Sequence, residues 1–202
     1  MPRTAENRYC TTREAAQLLG VSLRTAQLWS ENGLLDAWKT EGGHRRISRE
    51  SIFRLQTRNQ DSRPDPSAKL EKLKVLIVED DNILLRLYKV RITSWGLPIE
   101  VITSSNAYDA LVLIGRESPD LMITDLMMEG INGLQMIKTL IHSPFKEGME
   151  IIIVSGLSAE EIEAMGKIPP GIPVYPKPAP FDALKAHCRQ LLERRKAAME
   201  RS

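Results

Sequence analysis

Several polar side chains in this sequence directly follow short apolar runs that are typical of buried strands. They are Glu79, Asp80, Asp125, Ser155 and Lys177. In a parallel α/β sheet, the carboxyl ends of the strands meet at one edge, and ligands bind there. We therefore expect these five side chains to lie close together, although they are far apart in the sequence.

This set of residue types is suited to phosphoryl transfer. Three converging carboxylates need a counter-charge, and Mg²⁺ prefers oxygen ligands and keeps several waters. Such an ion would screen an incoming phosphoryl group and let Asp125 attack phosphorus. The Ser155 hydroxyl and the Lys177 ammonium are suited to hold the phosphoryl oxygens. Taken alone, an aspartate such as Asp125 is more often a turn residue than a nucleophile, and its polar neighbours are what favour the chemical reading.

The second part of the chain alternates between predicted strands and helices. The strands are expected at 74–78, 99–103, 121–124, 151–154 and 174–175, and the helices at 82–94, 106–117, 133–141, a short segment after 158, and 181–198. This alternation predicts an α/β domain with a five-stranded, doubly wound parallel sheet.

The first part of the chain shows the signals of two short helices. Thr11 and Glu14 form a capping box, and Gly20 ends the helix that follows it. Ser22 caps a second helix that runs to about Asn32. Two short helices around a tight glycine turn predict a helix-turn-helix.

A basic hairpin and a closing helix are expected next. Gly42-Gly43 is a dipeptide suited to a two-residue hairpin turn. The residues around it are basic, and a helix is expected at 48–57 with apolar residues at core-facing spacing. Helix-turn-helix, hairpin and closing helix together predict a small winged helix-turn-helix domain.

Composition and charge agree with two joined domains. The 202 residues are 42% hydrophobic and 27% charged, and the formal net charge is +2. Residues 8–58 carry nine Lys or Arg against five Asp or Glu, whereas residues 69–202 carry 17 against 18. The polar, proline-containing stretch between them reads as a linker. We predict a winged helix-turn-helix domain at 8–58, a linker at 59–71 and a second domain at 72–202.

Location is predicted from what the sequence does not contain. No apolar run approaches the roughly 20 residues of a membrane span, and the polar N-terminus is unlike a signal peptide. Cys10 and Cys188 are isolated in the sequence, which fits a reducing compartment. We expect a cytoplasmic protein without a membrane partner.

The first domain resembles the MerR/excisionase-type winged helix-turn-helix. The resemblance rests on residues 11–29, Thr-Thr-Arg-Glu-Ala-Ala-Gln-Leu-Leu-Gly-Val-Ser-Leu-Arg-Thr-Ala-Gln-Leu-Trp, and on residues 40–47, Thr-Glu-Gly-Gly-His-Arg-Arg-Ile. It implies DNA binding, with the second helix in the major groove and the hairpin on flanking phosphates. The implied contact residues are Arg24, Thr25, Gln27, Lys39, His44, Arg45 and Arg46.

The second domain, over about residues 72–195, resembles the receiver domain of bacterial response regulators, which has a flavodoxin-like fold. The resemblance implies that Asp125 is the phospho-acceptor and that Mg²⁺ is held by Glu79, Asp80, Asp125 and the Met127 carbonyl. Ser155 becomes the switch hydroxyl and Lys177 the family's lysine.

Two positions depart from the family pattern. Glu129 stands where the family usually has proline, four residues after the acceptor. Val174 stands where the family has its switch aromatic, three residues before the lysine, and the aromatic Tyr175 comes one residue later. A shift by one residue turns a strand side chain to the opposite face. The usual coupling between the hydroxyl and the aromatic ring is therefore not expected here.

The predicted function is a DNA-binding transcriptional regulator of a two-component system. Its expected partners are DNA and a sensor histidine kinase or phosphotransfer protein, and a homodimer would place two winged helices on adjacent half-sites. No turnover on an external substrate is expected. The alternatives are a receiver-fold binding module that acts without phosphorylation and a phosphatase with an aspartyl nucleophile. Phosphatases resembling the haloacid dehalogenase group have a second acid where this chain has Met127.

Overall fold

A computed structural model describes residues 8–60, 72–128, 132–142 and 148–201. Residues 61–71 of the predicted linker, and Glu129 with its predicted effect on the loop after Asp125, lie outside the described residues.

The first domain contains a three-stranded antiparallel sheet and three helices. The elements are β1 (Tyr9–Thr11), α1 (Thr12–Leu19), α2 (Leu23–Glu31), β2 (Ala37–Lys39), β3 (Arg45–Ser48) and α3 (Arg49–Gln60), and the strand order is β1-β3-β2. The predicted capping box is confirmed, because Thr11 accepts from the Glu14 amide and Glu14 accepts from the Thr11 amide. Gly20 ends α1 in the left-handed conformation, with φ of 60°.

Two local features of this domain differ from the prediction. Strand β1 was not predicted, since a three-residue strand has too little alternation to stand out from its neighbours; it pairs with β3, Cys10 opposite Ile47. The hairpin turn was predicted as two residues but spans 40–44, and it is closed by the Thr40 amide donating to the His44 carbonyl at 2.9 Å.

The second domain alternates strands and helices as predicted. Its elements are β4 (Leu73–Val78), α4 (Asn82–Thr93), β5 (Ile99–Ser104), α5 (Ala107–Glu117), β6 (Leu121–Thr124), α6 (Gly133–Ile141), β7 (Glu150–Ser155), α7 (Ala159–Met165), β8 (Val174–Pro176) and α8 (Phe181–Met199). The strand order is β5-β4-β6-β7-β8 and every pair is parallel. The predicted fold class, a five-stranded doubly wound parallel sheet, is confirmed.

The central strands position the polar residues that follow them. Strands β4 and β6 are apolar and almost fully buried, as expected for strands covered by helices on both faces. Their register pairs Val78 with Thr124. Glu79 and Asp125 therefore leave the sheet side by side at the same edge.

The two domains pack against each other through helices α2 and α5. One apolar cluster runs through both, from Leu19 and Trp29 in the first domain to Ile114 and Met136 in the second. The indole N–H of Trp29 donates to the Leu111 carbonyl at 2.9 Å. No helix within the described ranges has the length and apolar character that crossing a membrane would require.

Candidate functional site

Lys177 joins two buried carboxylates at the edge of the sheet. Its Nζ lies 2.7 Å from Oδ2 of Asp125 and 2.8 Å from Oε2 of Glu79. Asp125 is 6% exposed and Glu79 is 3% exposed, so water screens neither charge well. Two like charges this close need a cation between them, and the ammonium supplies it.

The second carboxylate oxygen of Asp125 is held by the backbone. Oδ1 accepts from the amide of Leu126 at 2.5 Å and from the amide of Met127 at 3.2 Å. The start of α6 comes close behind this loop: a Cβ at Gly133 would lie 2.5 Å from the Asp125 carbonyl oxygen. Only glycine fits there, because the opposing atom is backbone and cannot move aside.

Burial and charge act in opposite directions on the ionisable groups here. Burial raises the pKa of Glu79 above its ordinary value, and the hydrogen bond and charge of Lys177 oppose the increase. Burial also lowers the pKa of Lys177, but its bonds to Asp125 and Glu79 outweigh this effect, and the net pKa is raised. Nearby Tyr88 has its pKa raised to about 12, chiefly by burial, so its phenol stays neutral.

The other predicted pocket residues end the same group of strands. Ser155 is 1% exposed at the end of β7, and its Oγ accepts from the Leu157 amide at 3.4 Å. Met127 is 55% exposed, and Asp80 is half-buried. The third acid of the run, Asp81, has a structural task, since its Oδ1 accepts from two amides at the start of α4.

The structure pairs two of the three predicted acidic metal ligands. Within the described ranges, no three His, Cys, Asp or Glu side chains form a group that could hold a metal ion. Glu79 and Asp125 both form an ion pair with Lys177. The ammonium thus supplies the positive charge that the sequence analysis assigned to a metal ion. A pair of carboxylates still fits Mg²⁺, which binds through one or two carboxylates and retains water.

The aromatic residue near the lysine faces away from the usual switch position. Tyr175 packs against the apolar cluster beneath β4 and α8, whereas Val174 is 39% exposed. The two residues lie on opposite faces of β8, as the one-residue shift predicts. A ring is therefore missing from the surface position that Val174 occupies.

The predicted DNA-contact residues of α2 occupy different environments. Arg24 lies over the ring of Tyr108 in α5, with its Cζ 5.5 Å from the ring centroid. Thr25 is 1% exposed, and its hydroxyl lies 2.8 Å from that of Ser22, the N-cap of α2. Gln27 is half-buried.

The basic residues of the hairpin divide between its two faces. Lys39 and Arg45 lie directly opposite each other on β2 and β3, and Arg45 contacts Glu31 at 3.0 Å. Arg46 points to the other face, opposite the exposed Trp38. His44 is exposed in the turn. The hairpin thus presents positive charge on both sides.

Sequence reasoning missed three features that surround these sites. The strand ends predicted that Glu79, Asp125 and Lys177 lie close together, but no local pattern predicted that Lys177 bonds to both carboxylates. The tight approach at Gly133 was readable only as a glycine at a helix start. The contact between Trp29 and α5 joins residues that are far apart in the chain.

Comparison with protein families agrees with this fold. Residues 75–187 match the family described as "Response regulator receiver domain", and residues 9–60 match the one described as "Helix-turn-helix domain". The first match covers more than half of the chain. The chain belongs to the response regulator receiver domain family.

Individual relatives give the same assignment over parts of the chain. Transcriptional regulatory protein GlrR of Escherichia coli (strain K12) is 35% identical over 81 residues, which are 40% of this chain and 17% of that protein. The phosphate regulon transcriptional regulatory protein PhoB of Rhizobium meliloti (strain 1021) is 27% identical over 124 residues, 61% of this chain and 53% of that protein. This chain therefore spans about half or less of the length of these two relatives.

A solved structure shows the same receiver fold. The receiver domain of the Francisella response regulator 1452 superimposes with a TM-score of 0.51 at 26% identity, covering 61% of this chain and 98% of that one. That chain is a receiver domain, and the match covers less than two thirds of this chain.

Proposed function

We propose that this protein is a phosphorylation-controlled DNA-binding transcription regulator of a two-component system and accepts its phosphoryl group on Asp125. The observation that carries the proposal is the bridge from Lys177 to both Asp125 and Glu79. The bridge joins Asp125, the proposed nucleophile, to a second acid and a cation at one edge of a parallel sheet, where such folds bind their ligands.

The proposed reaction moves one phosphoryl group. An oxygen of the Asp125 carboxylate attacks phosphorus, a new O–P bond forms, and the bond from phosphorus to the donor breaks with its electrons leaving on the donor. The two backbone amides on Oδ1 fix the carboxylate plane and leave Oδ2 on the side of Lys177. After transfer, the ammonium of Lys177 and the hydroxyl of Ser155 hold the phosphoryl oxygens.

Mg²⁺ belongs to the same proposal. Glu79, Asp80, Asp125 and the Met127 carbonyl would hold it, and when bound it would neutralise charge on the phosphoryl oxygens. Burial raises the pKa of Glu79 and so disfavours its charged form, and a second cation beside this acid would oppose that effect.

The remaining assignments complete the proposal. Residues 8–58 form the DNA-binding domain, 59–71 the linker and 72–202 the receiver domain. DNA is contacted by Arg24, Thr25, Gln27, Lys39, His44, Arg45 and Arg46. The phosphoryl donor is a sensor histidine kinase or phosphotransfer protein in the cytoplasm, a homodimer binds two half-sites, and no external substrate is turned over.

Phosphoryl acceptance and DNA binding are tested together in the whole chain. We expect incubation with Mg²⁺ and acetyl phosphate to add one phosphoryl group, seen by intact mass, and EDTA to prevent it. Affinity for a mixed-sequence DNA duplex, measured by fluorescence anisotropy, should differ between the two forms. A protein that gains no phosphoryl group would contradict the acceptor role, and one that binds no duplex would contradict the regulator role.

The hairpin makes a separate prediction about salt dependence. The double variant Lys39→Gln/Arg45→Gln should bind duplex DNA more weakly and lower the slope of log affinity against log salt by about 2, one for each lost phosphate contact. The matched control Arg86→Gln/Lys89→Gln removes the same charge from exposed positions on α4. Equal slopes for the two double variants would show that the hairpin does not contact phosphates.

A further inference from the structure

Helix α2, which is predicted to read DNA, also packs against the receiver domain. Trp29 is fully buried, and its indole N–H donates to the Leu111 carbonyl of α5. Arg24 lies over Tyr108 of the same helix at 5.5 Å, within the range of a cation–π contact. Arg24, which is predicted to face DNA, therefore makes a contact within the chain instead.

Gly115 has a role in this contact that the receiver fold does not explain. It lies inside α5, where glycine weakens a helix relative to alanine. A Cβ at this position would lie 2.6 Å from Cδ2 of Leu34 and 3.3 Å from the ring of Trp29. The glycine thus leaves room for Leu34 and Trp29 against α5, and a larger side chain here would force Leu34 to move and would crowd the Trp29 ring.

Helix α6 completes the surface on the receiver side. Between the domains is a cavity of about 260 Å³, lined from one side by the face of α2 that carries Arg24 and Leu28 and from the other by Tyr108, Gln135 and Met136. Helix α6 begins directly behind the phospho-acceptor loop, where the Gly133 amide donates to the Leu126 carbonyl at 3.0 Å. The surface that holds α2 is therefore continuous with the loop that carries Asp125.

A helix held in this way cannot also lie in DNA. The major groove is about 12 Å wide and admits a single helix of about 10–12 Å diameter. A second helix packed with its axis about 8–10 Å away, as α5 is expected to be against α2, cannot enter the same groove. The receiver and DNA must compete for the face of α2 that carries Arg24, Thr25 and Leu28.

We infer that the α5–α6 face of the receiver domain masks the DNA-reading face of α2, with Trp29 and Leu34 docked against Gly115. This inference rests on the proposed DNA-binding function. DNA binds only the undocked form. Docking therefore lowers the apparent affinity for DNA, because only a fraction of the molecules is undocked. Linkage makes the effect reciprocal, so DNA weakens docking as much as docking weakens DNA binding.

The variant Gly115→Gln tests the inference in the whole chain. Glutamine is accepted in an exposed helix but its side chain would occupy the space of Leu34 and Trp29. The indole N–H signal of Trp29, assigned by its loss in Trp29→Phe, should shift and exchange faster with water. Affinity for a mixed-sequence duplex should rise by tenfold or more. The control Ala186→Gln, at an exposed position on α8, should change neither.

The outcomes separate the inference from the function on which it rests. Masking alone is overturned if the Trp29 indole signal of Gly115→Gln does not shift. It is also overturned if the signal shifts and exchanges faster, as expected for a released Trp29, while duplex affinity stays unchanged. A released signal with no duplex binding by either protein would overturn DNA binding and masking together. If Gly115→Gln does not fold, Tyr108→Gln removes the ring beneath Arg24 and must raise duplex affinity in the same direction. Saturating duplex added to the unmodified chain must also release the Trp29 signal.

Discussion

Replacing Asp125 with asparagine is expected to abolish phosphoryl acceptance completely. The amide keeps the shape of the side chain and can still accept from the Leu126 and Met127 amides. It lacks the negative charge and the nucleophilic oxygen that form the bond to phosphorus. Intact mass after incubation with Mg²⁺ and acetyl phosphate should show only unmodified protein.

The neighbouring acid Asp81 provides the control for this prediction. Its carboxylate caps α4, and asparagine is as good an N-cap as aspartate. Asp81→Asn should therefore accept a phosphoryl group like the unmodified chain. If Asp125→Asn still gains a phosphoryl group, the acceptor lies elsewhere. If neither variant gains one, the combined negative charge at this edge of the sheet matters more than a single nucleophile.

Replacing Lys177 with methionine is expected to have the largest effect on stability. It removes the cation between Glu79 and Asp125 and leaves two buried acids facing each other. Breaking a buried ion pair from one side typically costs roughly 3–5 kcal/mol, and we expect about 3 kcal/mol here because Lys177 is partly exposed. Urea unfolding at neutral pH measures the loss.

The loss should depend on pH in a defined direction. Burial already raises the pKa of Glu79 in the folded protein, and removing Lys177 raises it further. A carboxyl whose folded pKa is raised favours folding below its ordinary pKa of 4.5 and disfavours folding as pH rises through the folded value. The repulsion should thus disappear as pH falls through the raised folded pKa, and the gap in unfolding free energy between Lys177→Met and the unmodified chain should be smallest below about pH 4.5.

Two comparisons keep this prediction specific. Lys89→Met, at an exposed position on α4, should cost little at any pH. Lys177→Arg keeps the charge and should recover part of the stability. If Lys177→Met lowers the free energy of unfolding by the same amount at acidic and at neutral pH, the cause is lost packing of the lysine stem and not uncompensated charge.

The sequence by itself determined the parts of this protein that depend on local patterns. Apolar runs followed by polar residues predicted every strand of the parallel sheet, since buried strands have no polar face. Parallel strands align their carboxyl ends, so Glu79, Asp125 and Lys177 could be placed at one edge without knowing any distance. The caps at Thr11, Gly20 and Ser22 depend on adjacent residues and were equally readable.

Only the tertiary structure decided what these residues contact across the chain. The sequence assigned the counter-charge between the acids to a metal, whereas the fold also brings Lys177 between Glu79 and Asp125. Strand β1 and the longer hairpin turn depend on pairing with β3, which no local pattern records. The docking of Trp29 against Gly115 depends on the relative placement of two domains. A helix-interior glycine shows that something approaches closely, but only packing shows which partner it is.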